Sequence, residues 1–127
     1  RGARSVVFID ANPDSHRTIL DNLKLTGFRR QGRVIRAYVN KGMRVAEEQG
    51  LRFGGVFLDP PYEEGWVDKV LRALAHSPLL EPGAWVVAEH SQHEQGAEAY
   101  PPLLLTDQRH YGTTGVSFYQ RQAEEAV

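Results

Sequence analysis

Gly55-Val56-Phe57-Leu58-Asp59-Pro60-Pro61-Tyr62 decides how this chain is read. An apolar run is halted by an acid and two prolines. Proline lacks the N–H that a strand ladder needs and fixes its own φ, so the strand cannot continue past Asp59. The acid is therefore presented at the carboxyl end of a strand. In open α/β sheets that edge is where ligands bind.

On either side of this stretch, strand-like and helix-like patterns alternate. Ser5–Asp10 is a short apolar run of the kind that forms a buried parallel strand. Asn12-Pro13 then reads as an N-cap with proline at the first helical position. Ile19, Leu20 and Leu23 recur at helical spacing, and Gly27 stops the helix. Arg33–Tyr38 is expected as the second strand, Gly42–Gln49 as a short helix ending at Gly50, and Gly55–Asp59 as the third strand. Trp66, Val67, Val70, Leu71 and Leu74 make the apolar stripe of a helix that ends before Pro78. Pro82-Gly83 is expected to turn the chain into a fourth strand, Ala84–Glu89. Leu103–Leu105 and Gly115–Gln120 then form a hairpin around His110-Tyr111-Gly112. This order predicts an α/β fold, a mostly parallel sheet with helices on both faces and a C-terminal antiparallel hairpin.

With 127 residues, the chain is read as a single domain, residues 1–127, of ordinary globular composition, 41% hydrophobic and 24% charged. It has no cysteine, which excludes disulfides and thiolate metal sites. No apolar run approaches membrane-spanning length and no secretory h-region is present, so no membrane partner is expected and the expected location is cytoplasmic. A net charge of −1 argues against a basic nucleic-acid surface over the whole chain. Contacts to phosphates would have to come from local clusters. Arg29, Arg30, Arg33 and Arg36 form the densest, and Arg109-His110-Tyr111-Gly112 is another; both also read as ordinary solvated segments.

Asp-Pro-Pro-Tyr at a strand end is also the signature of enzymes that methylate exocyclic amino groups of nucleobases. The chain resembles the bacterial small-subunit ribosomal RNA guanine-N2 methyltransferases of the RsmD type. Three segments carry the likeness: Phe8-Ile9-Asp10, Phe57–Tyr62, and Glu89-His90-Ser91 with the later Tyr111-Gly112 and Ser117-Phe118-Tyr119. The resemblance implies a Rossmann-like class I methyltransferase fold dependent on S-adenosylmethionine. The implied partner is 16S ribosomal RNA, free or in a partly assembled small subunit. The family's first strand and glycine-rich cofactor loop have no counterpart here: Gly54-Gly55 precedes a strand rather than opening a helix. The expectation is an N-terminally incomplete domain, with the missing strand belonging between those that end at Asp10 and Asp59.

The likeness transfers roles residue by residue. Asp10, with Ala11, would take the cofactor ribose, a carboxylate offering two oxygens to two hydroxyls; the other reading of Asp10 is a turn or capping aspartate. Where the family has an acid for the adenine amino group, this chain has Tyr38, followed by Val39 with its backbone groups. Asp59, Pro60, Pro61 and Tyr62 would form the methyl-transfer site, Asp59 also bordering the cofactor. The Asp59 carboxylate and Pro60 carbonyl hold the amino group while Tyr62 stacks on the base. As a plain structural motif the same residues make a rigid strand-ending turn. His90, Ser91 and Tyr111 would line the substrate side; for His90 and Ser91 a solvated strand terminus is the alternative. Glu89, His90, His93 and Glu94 lack a distant third ligand, so no metal is expected. Trp66 and Trp85 are expected in the core. Rival readings are methylation of another exocyclic amine, such as adenine N6 in RNA or DNA, a non-catalytic RNA-binding form of the fold, and a dinucleotide-dependent oxidoreductase, which leaves Asp59–Tyr62 unexplained.

Overall fold

The computed structural model describes residues 6–9, 13–27, 32–35, 39–58, 65–93 and 96–122. The chain divides into two units, Arg1–Gln49 and Gly50–Val127. The first contains β1 (Val6–Ile9), α1 (Pro13–Thr26), β2 (Gly32–Ile35) and α2 (Val39–Glu48). β1 and β2 pair in parallel, Ile9 opposite Ile35, so the chain leaves both strands at the same edge. α1 packs on β2 and α2 on β1. Both helices stop where glycine alone is comfortable: Gly27 has φ 77° and Gly50 φ 70°.

Two boundaries in this unit differ from expectation. β2 ends at Ile35, and Arg36–Tyr38 lie outside the described residues. Val39, read as following a strand end, instead opens α2. Val39, Met43 and Ala46 fall at helical spacing, and Met43 and Ala46 are buried, so the helix is nucleated three residues earlier than Gly42 suggests.

The second unit is built on a five-stranded sheet in the order β3-β4-β7-β6-β5. Its strands are β3 (Phe53–Leu58), β4 (Leu80–Ser91), β5 (Ala99–Tyr100), β6 (Leu103–Tyr111) and β7 (Thr114–Arg121), with helix α3 (Trp66–Ala75) between β3 and β4. β3 and β4 are parallel; β4, β7, β6 and β5 are successively antiparallel. The expected hairpin is therefore the core of a three-stranded meander.

β4 is twice the expected length because Pro82-Gly83 does not end it. Phe53 pairs with Leu80 but Gly55 pairs with Trp85, so the extra residues of β4 bulge out, with Gly83 at φ 81°. β6 likewise runs on to Tyr111, which pairs with Thr114 across Gly112-Thr113. Its polar run Thr106–His110 reads as loop in sequence. It can be strand because β5 pairs only with Leu103 and Leu104, which leaves the rest of β6 as a solvated edge needing no apolar alternation.

Burial alternates along β4 from Ala84 to His90 and along β7 from Gly115 to Tyr119. One face carries Val86, Ala88, His90, Ser117 and Tyr119, all fully or almost fully buried. α3 packs on β4 with Val67, Val70, Leu71, Leu74 and Ala75 buried. The valines and leucines of this stripe contribute roughly 1.5–3 kcal/mol each when fully buried. On the opposite face Phe57 is 78% and Trp85 43% exposed. Their rings meet edge to face at 5.0 Å. Trp85 thus corrects its expected place in the core. It lies across Gly55, where any Cβ would fall 2.1 Å from its ring. Trp66 is half-buried, with the Lys69 ammonium 5.1 Å from its ring centre.

Candidate functional site

The carboxyl edge of β3 and β4 is the candidate site. The parallel register aligns Leu58, the last residue of β3, with Ala88, and β4 continues from there to Ser91. Because β7 runs antiparallel to β4, its first residue, Thr114, pairs with Ser91. The β6–β7 turn is thereby brought to the same edge, and the Gln92 N–H donates to the Thr113 carbonyl at 2.9 Å. The structure thus unites the end of β3, the end of β4 and the hairpin tip, three segments far apart in sequence. Asp59, Pro60, Pro61 and Tyr62 are next in the chain after Leu58 and lie outside the described residues, as do Asp10, Ala11 and Tyr38.

His90 does not face solvent at this edge. It is fully buried, and both ring nitrogens are engaged. Nδ1 lies 2.8 Å from the Ser91 carbonyl oxygen, which can only accept, so Nδ1 carries the proton. Nε2 then accepts from the Ser117 hydroxyl at 2.7 Å, and Ser117 in turn accepts from Gln108 Nε2 at 3.2 Å. The ring presses on β7 so closely that a Cβ at Gly115 would come within 2.5 Å of it. This side chain is not a solvated strand terminus. It is a core polar group whose hydrogen bonds are supplied across the β4–β7 pair, and a histidine at a strand end gives no sequence signal of that.

Ser91 is buried, and its hydroxyl accepts from the His93 N–H at 3.3 Å, which shapes the chain as it leaves β4. Tyr111 is 62% exposed at the hairpin tip. Arg109 stands on the same strand, its Nε 3.2 Å from an Asp107 carboxylate oxygen and its guanidinium 5.6 Å from the Phe118 ring centre. Hydrogen bonding to Tyr111, then to Asp107, pushes the Arg109 guanidinium further up from its ordinary value. The tip therefore offers an exposed aromatic ring, with the Arg109–Asp107 ion pair on the adjoining strand. Among the described residues, no group of three or more His, Cys, Asp or Glu could hold a metal ion. No described helix is long and apolar enough to cross a membrane.

Sequence reading missed a polar cluster on the α3 face. The Tyr100 hydroxyl donates to Asp68 Oδ1 at 2.7 Å and accepts from the Ala97 N–H at 2.8 Å. The Tyr119 hydroxyl donates to the Ala97 carbonyl, also at 2.8 Å. Asp68 further pairs with Arg72 at 3.0 Å, and the Arg72 guanidinium lies 5.9 Å from the Tyr100 ring centre. The Tyr100 hydrogen bond, aided by Arg72, outweighs desolvation and holds the Asp68 carboxyl below its usual range. Burial first, then the Asp68 bond, raises Tyr100; burial raises Tyr119 as well. The one available sequence signal was the presence of tyrosines in apolar surroundings, since a buried phenol needs a partner.

Comparison with known proteins places this geometry. The chain is 30% identical over 122 residues to YlbH of Bacillus subtilis (strain 168), a candidate rRNA methyltransferase; the match covers 96% of this chain and 66% of that protein, just under two thirds of its length. A conserved hypothetical protein of Streptococcus pyogenes superposes with a TM-score of 0.84 at 24% identity, over 94% of this chain and 72% of the other. An RNA methyltransferase from Salinibacter ruber, solved with S-adenosyl-L-homocysteine, gives 0.65 at 16% identity, over 96% of this chain and 69% of its own. These likenesses show the fold of class I methyltransferases. The family described as conserved hypothetical protein 95 matches residues 1–120, and the chain belongs to this RsmD-like family.

Proposed function

We propose that this protein transfers a methyl group from S-adenosylmethionine to the exocyclic N2 of a guanine in small-subunit ribosomal RNA. The observation that carries the reading is the convergence of Leu58, Ser91 and the Tyr111–Thr114 turn on one carboxyl edge, with Asp59-Pro60-Pro61-Tyr62 following Leu58 directly. Membership of the family and the S-adenosylhomocysteine complex of the Salinibacter ruber RNA methyltransferase support it.

Such a cofactor would be held by residues that follow β1 and β2. β1 and β2 release the chain at one edge, so Asp10 and Ala11 on one side and Tyr38 and Val39 on the other follow adjacent strand ends. Asp10 would take the ribose hydroxyls, and Val39, at the first turn of α2, would approach the adenine through its backbone. When bound, the cofactor supplies an electrophilic methyl on a sulfonium.

This chain's part is to make a poor nucleophile react. The N2 lone pair of guanine is delocalised into the ring. The Asp59 carboxylate and the Pro60 carbonyl would accept its two N–H bonds and favour a pyramidal nitrogen. Two consecutive prolines would restrict the backbone there and so hold both acceptors in place before the base arrives. Tyr62 would stack on a base turned out of its own stack, and Tyr111, exposed at the hairpin tip, would contact the neighbouring nucleotide. The N–C bond would form as the S–CH3 bond breaks, with Asp59 or solvent placed to take the proton that the nitrogen sheds.

Calorimetric titration of S-adenosylmethionine, followed by methyl transfer to small-subunit ribosomal RNA and mass spectrometry of the digested nucleosides, tests the reading. N2-methylguanosine is the expected product. N6-methyladenosine would move the substrate to another exocyclic amine. Cofactor binding without methylated RNA would favour a non-catalytic RNA-binding role.

A further inference from the structure

α3 is the helix entered directly from residues 59–64, and Asp68 lies in its first turn. The connection from β4 to β5 leaves the same sheet edge at Ser91 and reaches Ala99. These two segments are more than twenty residues apart in sequence and are tied by the tyrosine cluster. Both backbone polar groups of Ala97 are satisfied by phenols, its N–H by Tyr100 and its carbonyl by Tyr119. Tyr100 passes the connection on to Asp68. Gly96 makes the approach feasible: a Cβ there would sit 2.8 and 2.9 Å from the Tyr119 and Tyr100 hydroxyls and 3.0 Å from Leu71 Cδ1. A cluster needed only for packing could be built from phenylalanines. Here each hydroxyl closes a bond between separate chain segments.

We propose that Asp68, Tyr100 and Tyr119 are positioning residues that lock the β4–β5 connection at Gly96-Ala97 to the first turn of α3. They thereby fix the spacing between the segment that leaves the substrate edge at Ser91 and the helix that follows residues 59–64. The functional consequence rests on the methyl-transfer reading above; the lock itself does not. A phenol hydrogen bond of this kind gives about a tenfold effect when one partner is removed.

Tyr100→Phe keeps the ring and removes the hydroxyl. In the full-length protein we expect amide exchange to speed about tenfold at Ala97 and, together with it, at Lys69, whose N–H donates to the Gly65 carbonyl at the start of α3. Acceleration at Ala97 alone, with α3 unchanged, overturns the lock. In methyl transfer, Tyr100→Phe should raise KM for RNA about tenfold and leave S-adenosylmethionine affinity unchanged. An equal loss of cofactor affinity would mark a general loosening and overturn a positioning role. Asp68→Asn keeps an oxygen that accepts from Tyr100 and should hold KM near wild type, whereas Asp68→Ala should match Tyr100→Phe. Equal losses in both Asp68 variants would contradict positioning through that bond. If the wild-type protein methylates no RNA, the functional reading falls, and the exchange experiment still decides whether the lock exists.

Discussion

The two faces of the five-stranded sheet are made by the same strands and yet are held differently. On one face Val86, Ala88, His90, Ser117 and Tyr119 are sealed under α3 and the β4–β5 connection. On the other, Phe57 is largely exposed and Trp85 less than half so, ring against ring. Residue type alone would sort these groups the other way, since the buried face holds a histidine and a serine while the open face holds two aromatics. What decides is partnership. His90 and Ser117 satisfy each other's hydrogen bonds and lose little on burial, whereas an aromatic pair gains from contact with itself even where solvent reaches it.

The largest test of this contrast is Leu71→Ala. Leu71 is fully buried at the centre of the α3 stripe and touches the space beside Gly96. Its truncation should cost about 2–5 kcal/mol in denaturant unfolding of the folded chain. Next comes Gly115→Ala, where the new methyl meets a His90 ring pinned by two hydrogen bonds and so unable to step aside. The loss should be about 1–3 kcal/mol, and a smaller one would mean that the β4–β7 pair is looser than its register implies. Phe57→Ala, on the open face, should fall within about 0.5 kcal/mol of wild type. A cost like that of Leu71→Ala would show the second face to be as closed as the first.

The smallest effect is one of pH. Asp68 is held below its ordinary carboxylate value chiefly by the Tyr100 hydrogen bond, so the stability it contributes is present above the unfolded value. That contribution disappears as pH falls through the lowered folded value. The destabilisation caused by Tyr100→Phe should therefore shrink in strong acid compared with neutral pH, as read by paired denaturation curves. Asp68 is half-exposed, so solvent keeps the effect small.

The alternation of elements was legible because Gly27 and Gly50 punctuate it and because the α3 stripe repeats at helical spacing. Pro82-Gly83 misled because turn chemistry cannot distinguish the end of a strand from a bulge within it; only pairing with β3 decides. The run Thr106–His110 concealed a strand because an edge strand needs no apolar face. Trp85 was expected in the core, but which side of the strand Ala84–Glu89 is covered depends on packing that the sequence does not carry. At the site, Asp59–Tyr62 was visible as chemistry written in consecutive residues. The Asp68–Tyr100–Tyr119 cluster was not, because its members meet only after α3 and the meander have packed. His90 was seen as a strand-end group but not as a core one, for its partner Ser117 lies 27 residues away.

The most direct test of the account compares single-turnover methyl transfer to small-subunit ribosomal RNA by the wild-type protein and by Asp59→Ala, both saturated with S-adenosylmethionine. The account predicts a fall in rate of at least about 100-fold, the scale of losing one preorganised transition-state contact, with the folded state unchanged. Equal rates would contradict it and would place the chemistry somewhere other than the strand end at Leu58-Asp59.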